Sequence, residues 1–153
     1  TYVSMDELLG KSDIVSLHCP MTKENYHLLD KEAFKKMKDG AIVINTARGE
    51  LIDTEELYKA LNSGKLGGAG LDVMEYETSV IHDDLFLASA KAQGADSLLR
   101  SLINHRLMQL PNVVVTPHVA FNSIDAVHRI LKTANDNIDS FLSGKVVNSV
   151  LKK

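Results

Sequence analysis

A chain of 153 residues, 44% of them hydrophobic, is long enough for one globular domain with a buried core and too short for two complete ones. Seventeen basic against twenty acidic residues leave a formal charge of -3 with no long run of either sign, which excludes the basic arm of a nucleic-acid binder and the polybasic face of a membrane-surface protein. The single cysteine, Cys19, cannot form an internal disulfide, no leader-like segment opens the chain, and no apolar run approaches the roughly 20 residues of a membrane-spanning helix, so a soluble protein of the reducing cytoplasm is expected.

The chain starts at Thr1-Tyr2-Val3 without a methionine and enters a helical signal almost at once, as expected of a piece cut from a longer protein. Ser4-Met5-Asp6-Glu7 reads as a capping box, in which the serine oxygen and the glutamate satisfy orphan donors at a helix start, and Gly10 is expected to end that helix. Asp13 to His18 is short, apolar and β-branched, which favours a buried strand, and it stops at Cys19-Pro20. Asp30 caps a helix whose Ala33, Phe34 and Met37 share a face, with Gly40 as its closing left-handed residue. A strand over Ala41 to Asn45 follows directly.

Beyond the turn Thr46-Ala47-Arg48-Gly49, Asp53 and Glu56 form a second capping box ahead of a buried stripe of Leu57, Ala60 and Leu61, and Gly64 ends the helix. Leu66 to Val73 is the third strand, its Gly67, Gly68 and Gly70 expected where a neighbouring backbone or helix packs closely. The stretch Tyr76 to Leu110 is less regular, with a helix expected from Ser97 to Leu110. Val113 to Val115 is the fourth strand and ends at Thr116-Pro117-His118. Ser123 with Asp125 then opens a long helix whose Val127, Ile130, Leu131, Ala134, Ile138, Phe141 and Leu142 keep a helical period up to Gly144.

Short apolar strands alternating with helices imply an α/β, doubly wound parallel sheet. In such a sheet ligands bind beyond the carboxyl ends of the strands. The segments there are His18-Cys19-Pro20, Thr46 to Gly49, Asp72 to Glu77 and Pro117-His118, so the fold itself gathers a cation, carboxylates and a histidine at one edge. A lone arginine in a turn is commonly a surface charge, and a lone histidine after a strand is commonly a structural hydrogen-bonding residue. Their joint placement is what argues for catalysis. The glycines at 67, 68 and 70 lack the spacing of a phosphate-binding turn and lead into a strand, so they read as packing. The histidines and the cysteine show no paired spacing that would suit a metal.

At these strand ends the sequence resembles the D-isomer-specific 2-hydroxyacid dehydrogenases, the NAD-dependent family that includes D-lactate dehydrogenase. The blocks that carry the likeness are Leu17-His18-Cys19-Pro20-Met21-Thr22, Asn45 to Asp53, Gly68-Ala69-Gly70-Leu71-Asp72-Val73 and Pro117-His118. The resemblance implies that residues 1–120 are the C-terminal half of a Rossmann NAD-binding domain and that 121–153 return to the substrate domain. It further implies that Arg48 binds the substrate carboxylate and polarises the carbonyl, that His118 is the acid/base, and that Glu77 is its partner, with Glu75 a second candidate. Guanidinium offers a planar fork suited to carboxylate, and imidazole exchanges a proton near neutrality.

By the same likeness Cys19, Pro20 and Asn25 lie along the adenosine side of NAD, and Thr46, Ala47, Arg48 and Asp72 lie near the nicotinamide. The implied partner is a small 2-keto or 2-hydroxy acid, most simply the pyruvate/D-lactate pair, with glyoxylate, hydroxypyruvate or a branched 2-keto acid as alternatives. Phe121-Asn122 departs from the tyrosines frequent in the D-lactate branch. A homodimer is the family expectation. A dehydrogenase-like protein that senses NAD without catalysis is the reading from another functional class.

Overall fold

The computed structural model of the chain describes residues 1–75 and 99–149 and divides into two compact units, Thr1–His118 and Val119–Lys153. In the first unit the order is α1 (Met5–Lys11), β1 (Ile14–Leu17), α2 (Lys31–Lys36), β2 (Ala41–Asn45), a 3₁₀ turn (Gly49–Leu51), α3 (Thr54–Asn62), β3 (Leu66–Leu71), helix α4 described over residues 99–108, and β4 (Val113–Val115). The strands form one sheet in the order β1-β2-β3-β4, and every pair is parallel. This is the expected α/β arrangement.

Side chains alternate across the sheet, and the unit buries one face of it. Val15, Leu17, Val43, Leu66, Ala69 and Leu71 join Ala33 and Phe34 of α2, Leu57, Ala60 and Leu61 of α3, and Leu107 of α4 in a single apolar cluster. Each large side chain so buried contributes about 1.5–3 kcal/mol relative to exposure. The opposite face carries Ile14, Ile42 and Val114, which are 57%, 39% and 68% exposed. A doubly wound sheet is expected to be buried on both faces; among the described residues of this unit the helices cover one.

The helix starts follow from their caps. Ser4 accepts from the Glu7 N–H, Asp30 from the Ala33 N–H, and Asp53 from the Glu55 and Glu56 N–H groups. The reciprocal half of each expected capping box is missing. Glu7 instead pairs with Lys11 at 2.8 Å and Glu56 with Lys59 at 2.8 Å, because a lysine one turn on offers the carboxylate a charged partner. Gly10 lies inside α1, which continues to Lys11. Helix α2 ends at Lys36, ahead of Gly40, whose φ of +81° serves the turn into β2. Strand β3 stops at Leu71, two residues short of the expected Val73, in register with the last residue of β4.

The expected close packing at the glycines of β3 is met at two of three positions. A Cβ on Gly67 would lie 2.4 Å from the Gly40 carbonyl oxygen, and one on Gly68 would lie 2.9 Å from that of Asn112; on Gly70 it would meet only the Ile44 side chain, at 3.9 Å. The neighbours at the first two are loop backbones, which cannot rotate aside.

The second unit is built on α5 (Ile124–Leu142), capped by Ser123 through the Ala126 N–H. None of the residues of this helix is buried, and Ile130, Leu131, Ile138, Phe141 and Leu142 are exposed. No helix among the described residues is long and apolar enough to cross a membrane.

Gly67→Ala is expected to destabilise the folded protein by about 1–3 kcal/mol, the usual cost of overpacking, whereas Gly70→Ala should change stability by less than about 1 kcal/mol. Urea titrations of the two variants beside the parent protein would read the difference.

Candidate active site

The last residues of the four strands, Leu17, Asn45, Leu71 and Val115, are partners across the ladder. The residues that follow them, His18, Thr46, Asp72 and Thr116, therefore leave the sheet along one edge. This register brings the sequence-predicted segments together.

Past β2 the chain is turned by Asn45, which is 1% exposed. Its side-chain amide donates to the Arg48 carbonyl at 2.8 Å, and its oxygen accepts from the Ala47 N–H at 3.0 Å. The turn presents Arg48 to solvent, where Nη1 donates to the Ala47 carbonyl at 2.7 Å. Among the described residues that guanidinium pairs with no carboxylate, so its fork is available to an anion. Gly49 lies against the end of the third strand: a Cβ there would be 2.1 Å from the Met74 carbonyl carbon, which no side chain can accommodate.

Asp72 is buried, and its Oδ1 accepts a short hydrogen bond from the Thr116 hydroxyl. Its backbone carbonyl accepts from the His118 N–H at 3.0 Å. His118 is exposed and left-handed, with φ of 55°, a conformation costing about 1 kcal/mol that histidine adopts more readily than most residues. One aspartate thus joins the third and fourth strand ends and fixes the backbone of the histidine.

On the first strand end, Asn25 closes the loop that carries Cys19 and Pro20. Its amide donates to the Pro20 carbonyl at 2.9 Å and reaches the Cys19 sulfur at 3.9 Å, while its oxygen accepts from the Thr22 N–H at 2.7 Å. The ring of His18 is occupied with the Ser16 hydroxyl at 2.8 Å. Cys19 and Pro20 offer an apolar wall, and the exposed Thr46 and the Asp72 carboxylate offer polar groups along the same edge, a set that suits a nucleotide with an amide-bearing ring.

Glu77 lies outside the described residues, as does the start of the helix expected from Ser97. Glu75 is described, 1% exposed, and engaged elsewhere. Oε1 accepts from the Tyr26 hydroxyl at 3.3 Å and meets His27 Nε2 at 2.9 Å; Oε2 accepts from the Thr54 hydroxyl at 2.7 Å and from Arg100 Nη1 at 3.1 Å. Asn104 donates to its backbone carbonyl at 2.6 Å. Burial pushes the carboxyl upward, but the hydrogen bonds from His27 and Thr54 and the charges of His27 and Arg100 outweigh it and hold it below the usual carboxylate range. Sequence reasoning passed over His27, Thr54, Arg100 and Asn104. Their partner is 21 to 48 residues away along the chain, so no local pattern marks them.

Comparison with known proteins gives a consistent picture. The family model for the D-isomer specific 2-hydroxyacid dehydrogenase NAD-binding domain matches residues 1–120. The chain is 42% identical over 149 residues to a D-lactate dehydrogenase of Lactiplantibacillus plantarum, covering 96% of this chain and 42% of that protein. It is 41% identical over 140 residues to an aromatic 2-oxoacid reductase of Clostridium sporogenes, covering 92% and 40%. A solved D-lactate dehydrogenase from Aquifex aeolicus, complexed with NAD and lactic acid, superposes with a TM-score of 0.74 at 40% identity, over 94% of this chain and 41% of that one. The chain spans about two fifths of the length of the curated relatives it matches.

Because the Glu75 carboxyl is held low in the folded state, its contribution to stability is complete above the unfolded carboxylate pKa and is lost as pH falls through the lower folded value. Glu75→Gln is expected to flatten the acid limb of the stability profile. At neutral pH it should cost about 2–3 kcal/mol, near the lower end for a broken buried pair, because Arg100 and His27 keep some solvent contact. Denaturant midpoints collected across the acid range check both.

Proposed function

This chain belongs to the D-isomer specific 2-hydroxyacid dehydrogenases, and from that membership we propose that it supplies the nicotinamide-side half of the active site of an enzyme interconverting a small 2-keto acid and its D-2-hydroxy acid. The observation that carries the reading is the in-register strand edge, which sets at Arg48 a guanidinium paired with no carboxylate among the described residues and at His118 an exposed residue joined by its backbone to the buried Asp72.

NAD, when bound, supplies or accepts the hydride. Cys19, Pro20 and Asn25 would hold its adenosine side, and Thr46, Ala47, Arg48 and Asp72 its nicotinamide side. The fit rests on the apolar loop closed by Asn25 and on the carboxylate oriented by Thr116. Arg48 binds the substrate carboxylate through its fork and polarises the adjacent carbonyl. His118, protonated, gives its proton to the 2-keto oxygen during reduction and takes it back during oxidation. Glu77 stabilises the imidazolium. Residues 121–153 form the segment returning to the substrate domain. The family likeness is what supports a homodimeric, cytoplasmic enzyme.

Pyruvate/D-lactate is the substrate pair we favour, on the strength of the D-lactate dehydrogenase relatives. A larger, aromatic 2-oxo acid is the second reading, supported by the Clostridium relative. Specificity constants measured side by side for pyruvate, phenylpyruvate and glyoxylate decide between them. Equal turnover of none of them, with NADH still bound, would favour an NAD-sensing protein instead.

In the full-length enzyme, Arg48→Lys should raise KM for the keto acid and lower kcat together while leaving the NADH Kd little changed. His118→Asn keeps a residue tolerant of left-handed backbone and should still lower kcat by roughly 10²–10⁴-fold. Glu77→Gln should lower kcat for the keto acid while leaving the NADH Kd little changed, since His118 loses its neighbour. Steady-state kinetics over pH, with NADH fluorescence titrations, measure all three.

A further inference from the structure

Two halves of the site edge, the Arg48 turn and the strand end from Asp72 to Glu75, are linked by a residue that belongs to neither. His27 lies between β1 and α2, with its backbone left-handed at φ of 53°. Its N–H donates to the Glu50 carbonyl at 2.9 Å. Leu29, two residues on, continues the attachment: it donates to the Leu51 carbonyl at 3.0 Å and accepts from the Asp53 N–H at 3.1 Å, a short parallel bridge of Leu29 with Ile52. The backbone of His27 to Leu29 is therefore laid along the segment that leaves the Arg48 turn.

The imidazole reaches both sides. Nε2 meets Glu75 Oε1 at 2.9 Å, and Nδ1 lies 3.4 Å from Asp53 Oδ2 at the start of α3. Tyr26 stacks on the ring at a centroid distance of 3.9 Å and an interplanar angle of 19°, and its own hydroxyl donates to the same Glu75 oxygen. Gly49 is pressed against Met74 and Glu75 with no room for a Cβ. The Arg48 turn and the Asp72–Glu75 segment thus touch at Gly49, and His27 ties them together from the side. A buried carboxylate needs its partners, and the imidazole is one of them, beside Thr54, Arg100 and Tyr26.

We propose that His27 is a positioning residue for the keto-acid site, clamping the Arg48 turn against the strand end that carries Asp72 and leads to Glu77. The inference rests on the keto-acid reading of Arg48 and His118. It assigns His27 no contact with substrate or cofactor. A left-handed histidine joined to a buried carboxylate is a costly arrangement, and what it secures is the separation between the turn of Arg48 and the strand end whose Asp72 holds the His118 backbone.

The test is made in the full-length enzyme with His27→Asn, which tolerates the left-handed backbone and keeps the bond to Glu50 but cannot reach Glu75, and with His27→Gln, whose amide can. Hydrogen exchange in His27→Asn should rise together in residues 48–52 and 72–75. The kcat/KM for the keto acid should fall roughly 10- to 100-fold, the scale of a small misplacement of a catalytic group, through KM more than through the NADH Kd, which should stay within about twofold. His27→Gln should recover part of the loss.

Exchange confined to residues 26–29, or a keto-acid KM and an NADH Kd that rise in parallel, would overturn the clamp. Should His27→Asn fail to fold, Glu75→Gln takes its place, with the same paired exchange and the same split between KM and Kd expected. A parent enzyme that reduces no keto acid would defeat the functional reading alone, and the exchange pattern would still decide the clamp.

Discussion

A parallel ladder that must bury one face has a single usable register, because a slip of one residue turns every side chain to the opposite side. In this sheet the constraint is set by Val15 and Leu17, by Val43, and by Leu66, Ala69 and Leu71, all packed into the cluster beneath the helices. Once those residues are buried, Leu17, Asn45, Leu71 and Val115 fall level with one another. The edge that carries His18, Thr46, Asp72 and Thr116 is therefore a by-product of core packing. Hydrophobic burial, which has no direction of its own, aligns the groups whose chemistry depends on direction.

What the core aligns, polar side chains then fix. Asn45 closes the turn of Arg48, Asp72 binds Thr116 and the His118 backbone, and Asn25 closes the Cys19 loop. Each of the three is an Asx residue with a short side chain that reaches backbone or hydroxyl groups nearby, Asn45 and Asp72 at or just past a strand end and Asn25 in the turn ahead of α2. Arg48 and His118, in contrast, are exposed. Both are held by their backbones, and Asn45 and Asp72, which hold those backbones, are buried.

Glu75 shows how tertiary contact commits a residue whose task the local sequence leaves open. It stands two residues from Glu77 in the sequence, and both qualified as partners for the histidine. Burial beside His27, Thr54 and Arg100 commits Glu75 to joining three segments of the chain. The same contact explains why Gly49 is required: the Arg48 turn has to lie flat on Met74 and Glu75.

The sequence by itself determined the class of fold, the place of each strand within one or two residues, the caps Ser4, Asp30, Asp53 and Ser123, and the four strand ends where chemistry gathers. These are encoded by spacing and by residue types acting on the nearest few neighbours, so they can be read locally. The tertiary structure alone decided that the glutamates of the two capping boxes turn to Lys11 and Lys59, that Gly67 and Gly68 face loop backbones while Gly70 faces a side chain, and that Glu75 belongs to His27, Thr54 and Arg100. Each of the last two outcomes pairs groups tens of residues apart, and the first sets a cap against a competing lysine at similar cost. Such choices are made by which partners the packed core brings within reach, and no window along the chain contains that information.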